Sequence, residues 1–210
     1  DNFIKITSNT TTQITDLTPG VEYCFYVVIQ QSEDNLYNPS DETCNVPEEE
    51  TGWSIDISLS IEDQLGQYIT DPASYLGMNP DASDGLDSFD IYEPPPSPPT
   101  EWASFYFPHP EWFADLGTNF TEDIRELRDL SNQLSIWNAE FLSDVSGVGS
   151  LEFDFINNAG DWPVYLKLQT TDADSVFQYY NLSSGNTIDF LYMPPNQIRS
   201  AQIIVGNSYP

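Results

Sequence analysis

One histidine, two cysteines, five tryptophans and 34 carboxylates hold most of the chemistry open to this chain. His109 lies between Pro108 and Pro110, and any Ser–His or Cys–His nucleophile pair would have to use it. The flanking prolines fix its backbone, which suits a rigid connector as well as a site. Catalysis also needs partner residues that no motif here marks, so the histidine is read as a connector. One His and two separated Cys are a poor set for zinc. Paired carboxylates can hydrolyse glycosides, but with this many acidic residues such pairs arise by chance and carry no weight. Neither a nucleophile motif nor a phosphate loop is present. The chain reads as non-catalytic.

Among the carboxylates, Asp81, Asp84, Asp87 and Asp90 form the one conspicuous cluster. An EF-hand is excluded, because aligning Gly85 with the loop glycine puts Pro80 at the first ligand position and Ile91 at the last. A calcium site of another kind, using Asp84, Asp87 and Asp90, remains open, since hard cations collect carboxylate oxygens. The competing reading pairs one of these carboxylates with Arg125, whose planar fork suits bidentate contact, and that reading is preferred. The tryptophans could form a sugar-stacking platform. Trp137 sits in an alternating segment and is assigned to the core, whereas Trp112 and Trp162, in turns beside Pro110 and Pro163, are the candidates for a ligand or interface surface.

Charge narrows the partners. Five Lys and Arg against 34 Asp and Glu leave a net charge of −29, which repels nucleic-acid phosphates and anionic lipid. Nucleic acid is excluded as a partner. No stretch approaches the ~18–20 apolar residues that span a bilayer, so membrane insertion is not expected. The chain opens on Asp1 with no signal peptide and reads as a processed or excised part of a longer protein. An even cysteine count in a Thr-, Asn- and Pro-rich acidic chain fits one disulfide in an oxidising compartment, with two free thiols as the alternative. Triplets at Asn9, Asn119 and Asn181 fit the glycosylation sequon.

The elements that must position these residues are strands. Residues 1–47 read as short strands, of which Val21–Gln30 is the strongest, with Tyr23, Phe25, Val27 and Ile29 on one face and Cys24, Tyr26 and Val28 on the other. Residues 48–52 are a polar linker. A second unit, 53–210, opens with Ile55, Ile57, Leu59 and Ile61 alternating with polar residues. A long aperiodic loop is expected over Asp63–Thr100, ending in the proline run Pro94–Pro99. Seven further strands follow, at Ala103–Phe107, Leu134–Leu142, Ser150–Ile156, Val164–Gln169, Ser175–Asn181, Thr187–Met193 and Arg199–Val205. Turns are expected at Gly147–Gly149, Asn158–Gly160 and Ser184–Asn186, and Thr121–Leu130 is the one helix candidate. The predicted fold is all-β: a first unit of short strands, then an antiparallel sandwich of about eight strands with a long Pro- and Asp-rich loop.

The segment Leu17-Thr-Pro19-Gly20-Val-Glu-Tyr23, followed by Phe25 and Val27, resembles the second half of a fibronectin type III domain. In that family the Tyr ties the sixth strand to the preceding turn. The resemblance implies that Cys24 faces outward beside Cys44 on the next strand, where a cross-strand disulfide is reasonable. It also implies an incomplete sandwich, since such domains have about 100 residues. Tyr23, Phe25, Val27 and Ile29 would then need cover from upstream sequence, from the second unit, or from a neighbouring subunit donating a strand.

Residues 53–205 resemble an uncharacterised β-sandwich module of large exported proteins from bacteria in and around the Bacteroidetes group. The likeness rests on Ala82-Ser-Asp84-Gly85-Leu-Asp87, the proline run, Phe105-Tyr-Phe107-Pro-His-Pro-Glu-Trp112 and Asp123-Ile-Arg125. It implies export and a structural or adhesive role at the cell surface, with self-association or neighbouring domains as partners. A carbohydrate-binding accessory module of a secreted hydrolase is the alternative.

Overall fold

The structure, a computed structural model, describes residues 17, 20–27, 30–32, 35–36, 40, 43–46, 51–96, 100–112, 116–157, 162–169, 176–182 and 186–207. The chain divides into two compact units, Asp1–Glu50 and Thr51–Pro210. With 60% of residues in strands and no α-helix among those described, the fold is all-β.

In the first unit, β1 (Tyr23–Phe25) pairs antiparallel with β4 (Thr43–Asn45), and β2 (Gln30–Ser32) pairs with β3 (Asn35–Leu36). The register sets Cys24 directly opposite Cys44, and the two are joined in a disulfide with their Cα atoms 3.9 Å apart. The expected run Val21–Gln30 is not one continuous strand. It leaves the ladder at Tyr26–Val27, where Val27 exchanges hydrogen bonds with Ser40: the Ser40 N–H donates to the Val27 carbonyl (2.8 Å), and the Val27 N–H donates to the Ser40 hydroxyl (2.9 Å). Tyr23 and Phe25 are half-buried and stacked on each other, and Val27 is 68% exposed. Ile29 and the strands expected before Leu17 lie outside the described residues.

Among its described residues the second unit has eleven strands: β5 (Trp53–Asp63), β6 (Tyr68–Asn79), β7 (Ile91–Tyr92), β8 (Ala103–Pro108), β9 (Asn119–Glu126), β10 (Ser135–Ser143), β11 (Gly147–Ile156), β12 (Val164–Gln169), β13 (Phe177–Leu182), β14 (Asn186–Met193) and β15 (Arg199–Val205). They pair in the order β13-β12-β15-β10-β8-β9-β6-β5-β11-β14, with β7 alongside β9. β8 turns the corner. It pairs with β10 through Ala103–Tyr106 and with β9 through Phe107–Pro108, so that the ribbon folds into two facing layers. Trp53 of β5 meets Trp137 of β10 edge-on at 5.9 Å, and Phe141 of β10 meets Phe190 of β14 at 5.1 Å, which closes a sandwich core. The alternation read in β5 is real: Ile55, Ile57, Leu59 and Ile61 are fully buried, each contributing roughly 1.5–3 kcal/mol.

Three elements depart from expectation. The loop expected over Asp63–Thr100 contains the twelve-residue strand β6. Its breakers have local accommodations: the ladder with β5 shifts between Ile57 and Leu59, opposite the stretch that holds Pro72, and the Ser58 hydroxyl donates to the Pro72 carbonyl. Gly77 is needed because a Cβ there would lie 2.2 Å from the Trp53 carbonyl. The helix expected at Thr121–Leu130 is instead strand β9, paired in parallel with β6. The turn expected at Gly147–Gly149 is the start of β11, where the phenyl ring of Phe190 occupies the space that a side chain at residue 149 would need.

Candidate functional site

Of the two strands that sequence patterning misses, β9 carries the centre of the site and β6 supports it as its parallel neighbour. β9 places Asp123 and Arg125 two residues apart, so both lie on one face of the strand. The Asp123 side chain is 1% exposed and receives a forked grip from Arg125: Nε donates to Oδ1 (3.0 Å) and Nη2 to Oδ2 (2.9 Å). The guanidinium also lies over the Trp137 ring at 4.6 Å, and its Nη1 donates to the Ile136 carbonyl. Trp137 in turn donates its indole N–H to the Asp123 carbonyl.

His109 completes the cluster. It follows β8, and its N–H donates to the Thr118 carbonyl (2.7 Å), which closes the turn into β9. The imidazole lies between two carboxylates, with Nε2 2.9 Å from Asp123 Oδ2 and Nδ1 2.7 Å from Glu111 Oε1. Trp112 stacks on it, centroids 3.6 Å apart, and Phe120 meets it edge-on. Burial alone would lower the histidine's pKa, but the hydrogen bonds and charges of Asp123 and Glu111 outweigh it and hold the pKa above the ordinary value. Burial of Asp123 is likewise overcome by His109 and Arg125, which keep its carboxyl below the usual range. With a carboxylate at each ring nitrogen, His109 in its protonated form donates to both and ties the two acids together.

Around this cluster runs a groove of about 590 Å³. β10 forms one wall by its alternation. Trp137, Ala139 and Phe141 point into the core, and Ile136, Asn138 and Glu140 face the groove. Pro108 and Pro110 line it beside His109, and Arg128, paired with Asp84, lines it from the segment after β9.

The acidic loop takes a different role from the one expected. Arg125 does not contact the Asp81–Asp90 segment. It is spent on Asp123, two residues away on its own strand, and Arg128 makes the ion pair to Asp84 instead. Asp90 pins the loop to β9 by accepting the Ile124 N–H, and its other oxygen accepts the Asp87 N–H. Asp87 accepts from the Ser83 and Phe89 backbones, while the Asp81 N–H donates to Asn79. Of the carboxylates proposed for calcium, those of Asp87 and Asp90 thus accept backbone hydrogen bonds and that of Asp84 pairs with Arg128, whereas the Asp81 bond is made by its backbone N–H. No group of three or more His, Cys, Asp or Glu among the described residues is arranged to hold a metal ion. Burial, reinforced by the nearby charges of Asp123 and Asp87, raises Asp90 to about 6.

A second acidic pair borders β8. The Ser104 hydroxyl donates to Glu93 (2.6 Å), and the Phe105 N–H donates to Asp71 (2.7 Å). Burial raises both carboxyls, Glu93 to about 7. Trp112 and Trp162, the aromatic residues expected at a ligand or interface surface, are each partly packed against the protein. The first is half-buried against His109, and the second is half-buried against the core.

Sequence reading missed Asp123, Glu111 and Arg128. The available signal was Pro-His-Pro followed by Asp-x-Arg, which becomes meaningful once 119–126 is read as a strand. No protein-family model matches the chain, and no curated protein or solved structure matches it.

Proposed function

We propose that this chain is a non-catalytic structural and adhesive protein of the cell exterior that associates through strand edges. The observation that carries the reading is β13. It ends the strand order, pairs among the described strands only with β12, and has no charged residue from Phe177 to Leu182 in a chain of net charge −29. Edge strands are usually defended by Lys, Pro or inward-pointing charge, and β13 contains none of these. Elsewhere the acidity repels a second copy, so an uncharged edge is where two copies can meet and extend a sheet. The Cys24–Cys44 disulfide supports an oxidising compartment. The engagement of His109 with two carboxylates supports the absence of nucleophilic catalysis.

Sedimentation velocity on the 210-residue chain tests this reading. Concentration-dependent association is expected, abolished by Asn181→Lys on the exposed side of β13. A monomer at every concentration would refute it.

A further inference from the structure

We propose that the groove beside His109 binds an uncharged sugar chain, which gives the adhesive reading, on which this proposal rests, a ligand class. The charges of the lining are largely cancelled before any ligand arrives. Arg125 and His109 are matched by Asp123 and Glu111, and Arg128 is matched by Asp84, so that only Glu140, which accepts from the Tyr106 hydroxyl, lacks a basic partner. Such a groove has no excess of positive charge to recruit an anion. Donors and acceptors nonetheless stand side by side along it. Arg125 and Arg128 use only some of their five N–H groups on the partners above, and the Asn138 amide and the Glu140 carboxylate face them from β10. A sugar hydroxyl both donates and accepts, so neighbouring hydroxyls on a ring can satisfy a guanidinium and a carboxylate together.

The apolar part of the lining fits the same ligand. Pro108, Pro110 and Ile136, the last 42% exposed, offer a narrow apolar strip among the polar groups. A pyranose is amphipathic in the same way, with C–H faces and a hydroxyl rim. The volume falls within the ordinary range for small-molecule sites, roughly 300–1,000 Å³, which accommodates a short oligosaccharide. The site is preorganised, because the proline-flanked turn and the His109–Asp123–Arg125 network hold the lining in place before binding. It differs from the tryptophan platform that the sequence left open as an alternative, since neither Trp112 nor Trp162 lines it.

The test is an NMR titration of the intact chain with a panel of neutral oligosaccharides (gluco-, manno-, galacto- and xylo-configured) at millimolar concentrations. A uronate-containing set and a proline-rich peptide are run in parallel. At least one neutral sugar is expected to shift the resonances of His109 and of the Asn138 side chain. Asn138→Ala and Glu140→Ala are each expected to weaken that sugar by about tenfold or more while leaving the spectrum folded, with Asn181→Lys on β13 leaving it unchanged. Shifts from the peptide or the uronates alone, no shifts from any sugar, or shifts that survive both groove variants would overturn the proposal. Cleavage of a bound sugar would leave the site standing and overturn the non-catalytic reading, whereas loss of association in Asn181→Lys bears on the β13 edge alone.

Discussion

Replacing Asp123 by Asn tests whether the buried ion cluster holds the corner of the sandwich. The substitution keeps the shape of the side chain and removes its charge. In the native protein Oδ2 accepts from both His109 and Arg125, and Oδ1 accepts from Arg125 Nε. An Asn in the same rotamer can offer its carbonyl oxygen to one side only, and its NH₂ then faces a donor on the other. Two cations lose their shared buried partner, a change that costs about 3–5 kcal/mol. For a unit the size of Thr51–Pro210, each kcal/mol moves the melting temperature by about 2–4 °C, so a fall on the order of 10 °C is expected.

All five tryptophans lie beyond residue 51, so fluorescence reports on this unit selectively. Arg128→Ala is the matched comparison. It breaks the Arg128–Asp84 pair, whose side chains are 32% and 52% exposed, and its cost should stay under about 1 kcal/mol. In Asp123→Asn the His109 resonance should also titrate at lower pH than in the wild type, because burial persists while a carboxylate partner is gone. Equal losses in the two variants, or an unmoved histidine titration, would refute the assignment of Asp123 as the organising charge.

Two further outcomes follow from the same electrostatics and from the first unit. The second unit should be more stable near about pH 5 than at about pH 8, read as a higher urea midpoint by tryptophan fluorescence. Asp90 and Glu93, raised to about 6 and about 7, bind protons more tightly folded than unfolded, so acidification through those values favours the fold. The raised His109 contributes fully below its ordinary value and loses that contribution as pH rises through the folded one. Asp123 and Glu111, both lowered, contribute above the ordinary carboxylate range and fail only in stronger acid. A midpoint that rises steadily from pH 5 to 8 would contradict this. Reducing Cys24–Cys44, which closes a loop of separation 20, should destabilise the first unit by about 3 kcal/mol. Unchanged proteolytic sensitivity of residues 20–46 after reduction would count against it.

The readable and unreadable strands differ in what they bury. β5, β12 and β15 bury apolar side chains at period two or in short runs, and their positions are plain from residue type. β9 buries Phe120 and Asp123, and its remaining positions carry Asn, Thr, Glu, Ile and Arg, so its pattern resembles an exposed helix. β6 carries Pro72 and Gly77, each of which signals a break when the partner strand is unknown. Only the register with β5 explains both: a ladder shift opposite the proline, and a backbone approach that excludes any side chain at the glycine. The Arg125 expectation failed for a related reason. Choosing its carboxylate from the Asp-rich loop ignored a nearer one, and Asp123 is near only if the segment is extended.

Scarcity of positive charge makes the site interpretable without relatives. The chain has six basic side chains, five Lys and Arg and one His, and three of them, His109, Arg125 and Arg128, line one groove. Of the others, Lys167 caps Gln202 and lies over Phe177, and Arg199 is buried at 4% exposure. In a chain this acidic, a cation is most stabilising where a carboxylate has been taken out of water, because there the unpaired charge would cost several kcal/mol. Asp123 is such a carboxylate, held at the corner where β8 passes from one layer to the other, and two of the three groove cations are bound to it. The same pairing that makes this corner rigid leaves the groove nearly neutral yet dense in hydrogen-bonding groups. The demand for stability thereby sets the chemical character of the groove: fixed, nearly balanced in charge and rich in hydrogen-bonding groups.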